Sequence, residues 1–127
     1  MCAKSAIINK NSKGFHVSNV FEKIIAGEIP CQKVLENPHF LAFHDINPKA
    51  PVHVLVIPKT CVKDFNAASP ELLAQMGGFI LEVVEKLGIK ESGYRLITNV
   101  GSDGGQEVPH LHFHILGGTK LAWPKLS

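Results

Sequence analysis

The chain has 127 residues, 45% hydrophobic and 19% charged, with a formal net charge of +2, the profile of one soluble domain able to bury its own core. Arg95 is the one arginine among 13 basic residues and the lysines are scattered, so no basic stripe marks a nucleic-acid surface. No apolar run approaches the roughly 18 residues of a membrane span.

Residues 1–15 are polar, lysine-bearing and aperiodic, and read as a flexible tail ahead of a single domain over 16–127. They lack the apolar run of a signal peptide and the arginines of a transit peptide. Cys2, Cys31 and Cys61 show no C-x-x-C spacing and read as free thiols in a reducing compartment. The expected location is the cytoplasm.

Order should begin at "SNVFEKIIAGEIP". Asn19 can cap a helix with Glu22 three positions on, Val20, Phe21, Ile24 and Ile25 supply its apolar side, and Gly27 and Pro30 end it. Short β-like runs follow at 32–36, 40–45 and 53–58, punctuated by Asn37–Pro38 and by "INPKAP". The third run is nearly all apolar, as in a central strand covered on both faces. Helix 69–87 carries Ser69 as N-cap, Pro70 at its first position and Gly88 as its stop. Its apolar residues from Leu72 to Leu87 keep a 3.6-residue period. Gly77–Gly78 inside it costs helix stability, and close packing on the sheet is the simplest reason for the pair. Two more strands, 94–100 and 110–116, flank the glycine-rich loop "GSDGGQEVP". The order α, β, β, β, α, β, β predicts an α+β domain with a mainly antiparallel sheet.

The last strand reads "HLHFHIL": His110, His112 and His114 fall on one face, and Leu111, Phe113 and Ile115 on the other. Three chemistries compete for this pattern. Zinc favours imidazole, but the outer two histidines lie about 13 Å apart on an extended strand. An H-x-H pair with His53 could still form a site. A purely structural strand would bury several imidazoles at a solvation cost that apolar residues avoid. The third reading is nucleophilic attack on phosphorus, for which a neutral imidazole is competent near pH 7. Glycines 101, 104 and 105 would let backbone N–H groups approach an anion, with Asn99 and Gln106 as further amide donors.

The motifs "FHDINPKAPVHVLVIPK" (43–59), "GYRLITNVGSDGGQ" (93–106), "HLHFHILGG" (110–118) and "WP" (123–124) together resemble the histidine triad (HIT) superfamily, in its Hint branch. The resemblance spans roughly residues 17–124. It implies the HIT-like α+β fold, a five-stranded antiparallel sheet with two helices, and a homodimer whose sheets join into one of ten strands. It implies binding of a purine nucleotide, AMP or GMP, and hydrolysis of the P–N bond of adenosine 5′-phosphoramidates through an adenylyl-histidine. It implies that the triad is not a metal site, and no cofactor, nucleic-acid partner or membrane partner is expected.

By the same resemblance His112 is the nucleophile, His114 and Asn99 hold phosphate oxygens, and His110 and His53 complete the polar shell. The segment Gly105, Gln106, Glu107, Val108 supplies backbone donors, and Asp45 takes the ribose hydroxyls. Val20, Phe21, Ile24, Phe43, His44, Ile46 and Leu55 form the slot for the base, and Trp123 reaches the partner subunit's site. Glu107 stands where many Hint proteins have serine, and the expectation is that its carboxylate turns away from phosphate. Two alternatives are a nucleotide-binding interaction protein with vestigial catalysis and a dinucleoside polyphosphate hydrolase.

Overall fold

A computed structural model describes residues 18–123 of the chain. The expected tail lies outside the described residues, as does Pro124. In chain order the elements are α1 (Val20–Ile25), β1 (Lys33–Glu36), β2 (Phe40–His44), β3 (Val52–Pro58), a 3-10 turn (Phe65–Ala67), α2 (Pro70–Leu87), β4 (Tyr94–Ile97) and β5 (Phe113–Gly117). The strands form one antiparallel sheet in the order β1-β2-β3-β5-β4. This is the α+β architecture that the order of elements predicted.

Period-2 alternation divides the sheet into two faces. Phe40 and Ala42 of β2, Val54 and Val56 of β3, and Ile115 of β5 pack with Met76, Phe79, Ile80, Val83 and Val84 of α2. The residues between them, Leu41, Phe43, Leu55 and Ile57, form a second cluster with Phe21 of α1. β3 is therefore buried on both sides, as its apolar run required.

Both helices carry the caps read in the sequence. Asn19 and Glu22 form a reciprocal capping box at α1. Ser69 accepts from the Leu72 N–H at α2, and Gly88 closes that helix in the left-handed conformation, φ 71°. The Gly77–Gly78 expectation is corrected: a β-carbon built on either glycine meets nothing within 4 Å. Close packing is not their reason, and nothing among the described residues requires them.

Two strand boundaries also differ. β4 stops at Ile97, not Val100, and the regular ladder of β5 begins only at Phe113. Ahead of that point the Thr98 hydroxyl donates to the His112 carbonyl (2.8 Å), and the Leu111 N–H donates to the Val62 carbonyl (2.6 Å). Side-chain and loop partners thus replace a strand neighbour. The alternation survives this change, since Leu111 and Ile115 still enter the α2 core. Cys31 is a free thiol, and Cys2 lies outside the described residues. Among the described residues no helix is long and apolar enough to cross a membrane.

Candidate active site

On the α1 face, between the short helix, the β2–β3 loop and the glycine-rich loop, lies a cavity of about 980 Å³, at the upper end of the size of small-molecule sites. Of the residues singled out from sequence, Val20, Phe21, Ile24, Phe43, His44, Asp45, Ile46, Leu55, Asn99, Gly105, Glu107, Val108, His112 and His114 line it. His53, His110, Gln106 and Trp123 do not. His53 and His110 sit behind the wall, 5% and 0% exposed.

Each of the four central imidazoles has its proton assigned by its partners. The His112 Nδ1 lies 2.7 Å from the carbonyl oxygen of His110. A carbonyl only accepts, so Nδ1 carries the proton and Nε2 keeps its lone pair. The His110 Nδ1 accepts from the amide Nδ2 of Asn19 (3.2 Å), while its Nε2–H donates to the Pro58 carbonyl (2.9 Å). On the other side, the His53 Nδ1 accepts from the Lys49 backbone N–H (3.0 Å). The His53 proton therefore sits on Nε2, 2.9 Å from His114 Nδ1 and 3.3 Å from Asp45 Oδ2. His114 accepts at Nδ1 and so carries its own proton on Nε2. The two cavity-lining histidines end in opposite states, one ring offering a lone pair and the other an N–H.

Burial keeps these rings uncharged. Desolvation lowers the pKa of His110 and His112, partly opposed by the carbonyls they hold. It lowers that of His53 too, against the pull of Asp45. His114, desolvated and flanked by His112 and His53, is pushed down to about 4. The His112 and His114 rings stand 5.1 Å apart, and Phe21 meets the His112 ring edge-on at 5.0 Å.

Asp45, His53 and His114 offer three ligand atoms within 4.8 Å of one another, a spacing one cation could bridge. To coordinate through Nε2, His53 would have to move its proton to Nδ1 and lose the Lys49 N–H.

The loops are built to hold this geometry. The Asp45 Oδ1 accepts from the Asn47 N–H (2.7 Å), fixing an Asx turn. Gln106 braces the glycine-rich loop: its Oε1 accepts from the Gly101 N–H (3.0 Å), and its Nε2 donates to the carbonyls of Lys63 (2.8 Å) and Val108 (3.0 Å). Its amide is thus committed to main-chain groups of the loop and of Lys63. At Gly104 a β-carbon would fall 2.4 Å from the Val100 carbonyl oxygen, so the loop closes only with glycine there. Trp123 is 77% exposed and lies against Arg95, whose guanidinium is 5.4 Å from the ring and donates to the Ala122 carbonyl (2.9 Å).

Sequence reading missed the wall residues Ile29, Pro30, Cys31 and Gln32, and three residues that position the histidines. Asn19 was legible as a helix cap, not as the partner of His110. Lys49 acts through its backbone N–H, which no side-chain pattern encodes. Thr98 lies next to Asn99, but its bond to the His112 carbonyl depends on where β4 ends.

Comparisons with known proteins show the family of the chain. The HIT domain model matches residues 26–121. An uncharacterized HIT-like protein of Helicobacter pylori is 72% identical over 102 residues, covering 80% of this chain and 98% of that one. Among solved structures, a HIT family hydrolase from Legionella pneumophila superposes with a TM-score of 0.80 at 44% identity, covering 84% of this chain and 98% of that one. A histidine triad nucleotide-binding protein from Candida albicans gives 0.74 at 31% identity, covering 87% and 85%. The chain belongs to the HIT domain family.

Proposed function

We propose that the protein is a purine nucleoside phosphoramidase that works through a covalent adenylyl intermediate on His112. The observation that carries this reading is the 2.7 Å contact from His112 Nδ1 to the His110 carbonyl. It leaves an uncharged Nε2 lone pair on a cavity-lining ring, the state a nucleophile needs. Names among the relatives, one a hydrolase and one a nucleotide-binding protein, support the same class.

In this reading Nε2 of His112 attacks the α-phosphorus of an adenosine 5′-phosphoramidate. The P–N bond breaks as the nitrogen takes up a proton from solvent and leaves as the amine, a proton that the attacking water of the next step returns to solvent. Water then cleaves the P–Nε2 bond, releasing AMP and returning the neutral imidazole. The Nε2–H of His114, Asn99 and the N–H groups of Gly105–Val108 hold the phosphoryl oxygens. Asp45 binds the ribose hydroxyls, which compete with His53 for its Oδ2. Val20, Phe21, Ile24, Phe43, His44, Ile46 and Leu55 enclose the base. His53 and His110 act through other rings and are positioning residues.

The working unit in this proposal is a homodimer joined along β4. That strand ends the sheet and carries exposed Tyr94 and Leu96, an edge that a second copy would cover. Trp123 would then approach the partner's cavity.

The test is to mix the protein with a fluorogenic adenosine phosphoramidate, quench rapidly and weigh the peptide containing His112. One added AMP is expected there. Full turnover with no adduct, or turnover abolished by a chelator, would remove the covalent mechanism.

A further inference from the structure

Of the three triad rings, His110 is the fully enclosed one, 0% exposed behind the cavity wall. Both of its nitrogens are nevertheless occupied. Nε2–H donates to the carbonyl of Pro58, the last residue of β3, and Nδ1 accepts from the Asn19 amide. The orientation of that amide is fixed by the helix it caps. Asn19 Oδ1 accepts from the Glu22 N–H (2.8 Å), which turns Nδ2 toward the ring, 3.6 Å from the Cys61 sulfur. One short side chain therefore starts a helix and completes a buried imidazole.

That helix needs such a tie. Six residues are too few to hold an α-helix by themselves, so α1 keeps its place through what it touches. Its Phe21 meets the His110 ring edge-on at 5.8 Å and the His112 ring at 5.0 Å. Asn19 and Phe21 thus grip the triad from the same helix end. The main chain of His110 then supplies the carbonyl that holds the proton on His112 Nδ1. Loss of the Asn19 donor would leave a buried acceptor to find another partner, and the ring, its carbonyl and Phe21 would loosen together.

We propose that Asn19 is a positioning residue for the nucleophile: its amide locks the His110 ring between α1 and β3, and so fixes the His110 carbonyl and Phe21 around the ring of His112. The inference rests on the phosphoramidase reading above and adds to it a residue outside the histidine strand.

Two substitutions keep the helix cap and change the contact to the triad. Asn19→Ser retains an oxygen for the Glu22 N–H but is too short to reach His110. Asn19→Asp retains the cap and turns a second acceptor on His110 Nδ1. The first readout is nitrogen-15 NMR of the imidazoles in the full chain, which needs no substrate. Wild-type His110 should carry its proton on Nε2 alone. In Asn19→Asp its Nδ1 should become protonated, because a carboxylate only accepts; Glu22 and His112 are the other titratable groups acting on that ring. In Asn19→Ser the His112 Nδ1–H should exchange with solvent about tenfold faster. The second readout is kcat on an adenosine phosphoramidate, which should fall about tenfold in Asn19→Ser. If either the spectra or kcat of both variants match the wild type, Asn19 is a helix cap only and the proposal is overturned, with the phosphoramidase reading intact. A wild type that turns over no phosphoramidate overturns that reading, and this proposal with it.

Discussion

The two faces of the sheet meet helices of very different length. One is covered by α2, 18 residues long, and is packed with aliphatic and aromatic side chains. Among the described residues the other meets the six residues of α1, which covers part of the sheet and leaves a cavity beside it. The same strands serve both. Phe40, Ala42, Val54, Val56 and Ile115 stabilise one side, while Phe43, Leu55 and His114 look toward the other. A short helix thus converts half of an ordinary core into a chemical site without altering the sheet.

That contrast makes divided predictions. The largest effect is on activity: His112→Ala should cut phosphoramidate turnover a thousandfold or more, at about the scale of losing a covalent nucleophile. Its thermal unfolding should shift much less than that of a core variant. Phe79→Ala, on the closed face, should do the reverse. It should cost about 3–5 kcal/mol of stability in denaturant titration while kcat of the surviving folded protein stays close to wild type. If both substitutions damage both properties equally, the two faces are not separable.

The histidines give a pH signature of intermediate size. All four have folded-state pKa values below the ordinary 6.5, with His114 near 4. The unfolded chain therefore binds more protons than the folded one below about pH 6.5. The stability they contribute is fully present above 6.5 and declines as pH falls from there toward 4. The acid limb of kcat/KM should likewise lie below 6.5, because His112 stays unprotonated. A limb at or above 6.5 would show a solvated ring. The smallest effect is a gain: Gly78→Ala, exposed in α2 with open space at its β-carbon, should add about 0.5–1 kcal/mol to unfolding free energy.

How far the sequence could be read follows from where the information sits. Ser69, Pro70 and Gly88 announced α2 and Asn19 with Glu22 announced α1, because caps are local side-chain chemistry. The histidine face was legible from period 2 alone. The start of β5 was not, since it depends on where β4 stops and on Thr98 taking over a carbonyl. Gln106 looked like a donor for a ligand because an amide's residue type does not reveal which main-chain groups it will satisfy. The proton on His53 is set by the backbone of Lys49, and the order of protons in the site follows from such contacts.

The oxygen that orients the ring of residue 112 belongs to the main chain. No amino-acid replacement deletes a peptide carbonyl, so random substitution cannot strip the ring of that companion. In the proposed mechanism a point change disarms this ring by removing the imidazole itself or by moving the main chain around it. The chain can therefore diverge widely elsewhere on the cavity wall, trading one recognised molecule for another, while the nitrogen proposed to react keeps its electronic state.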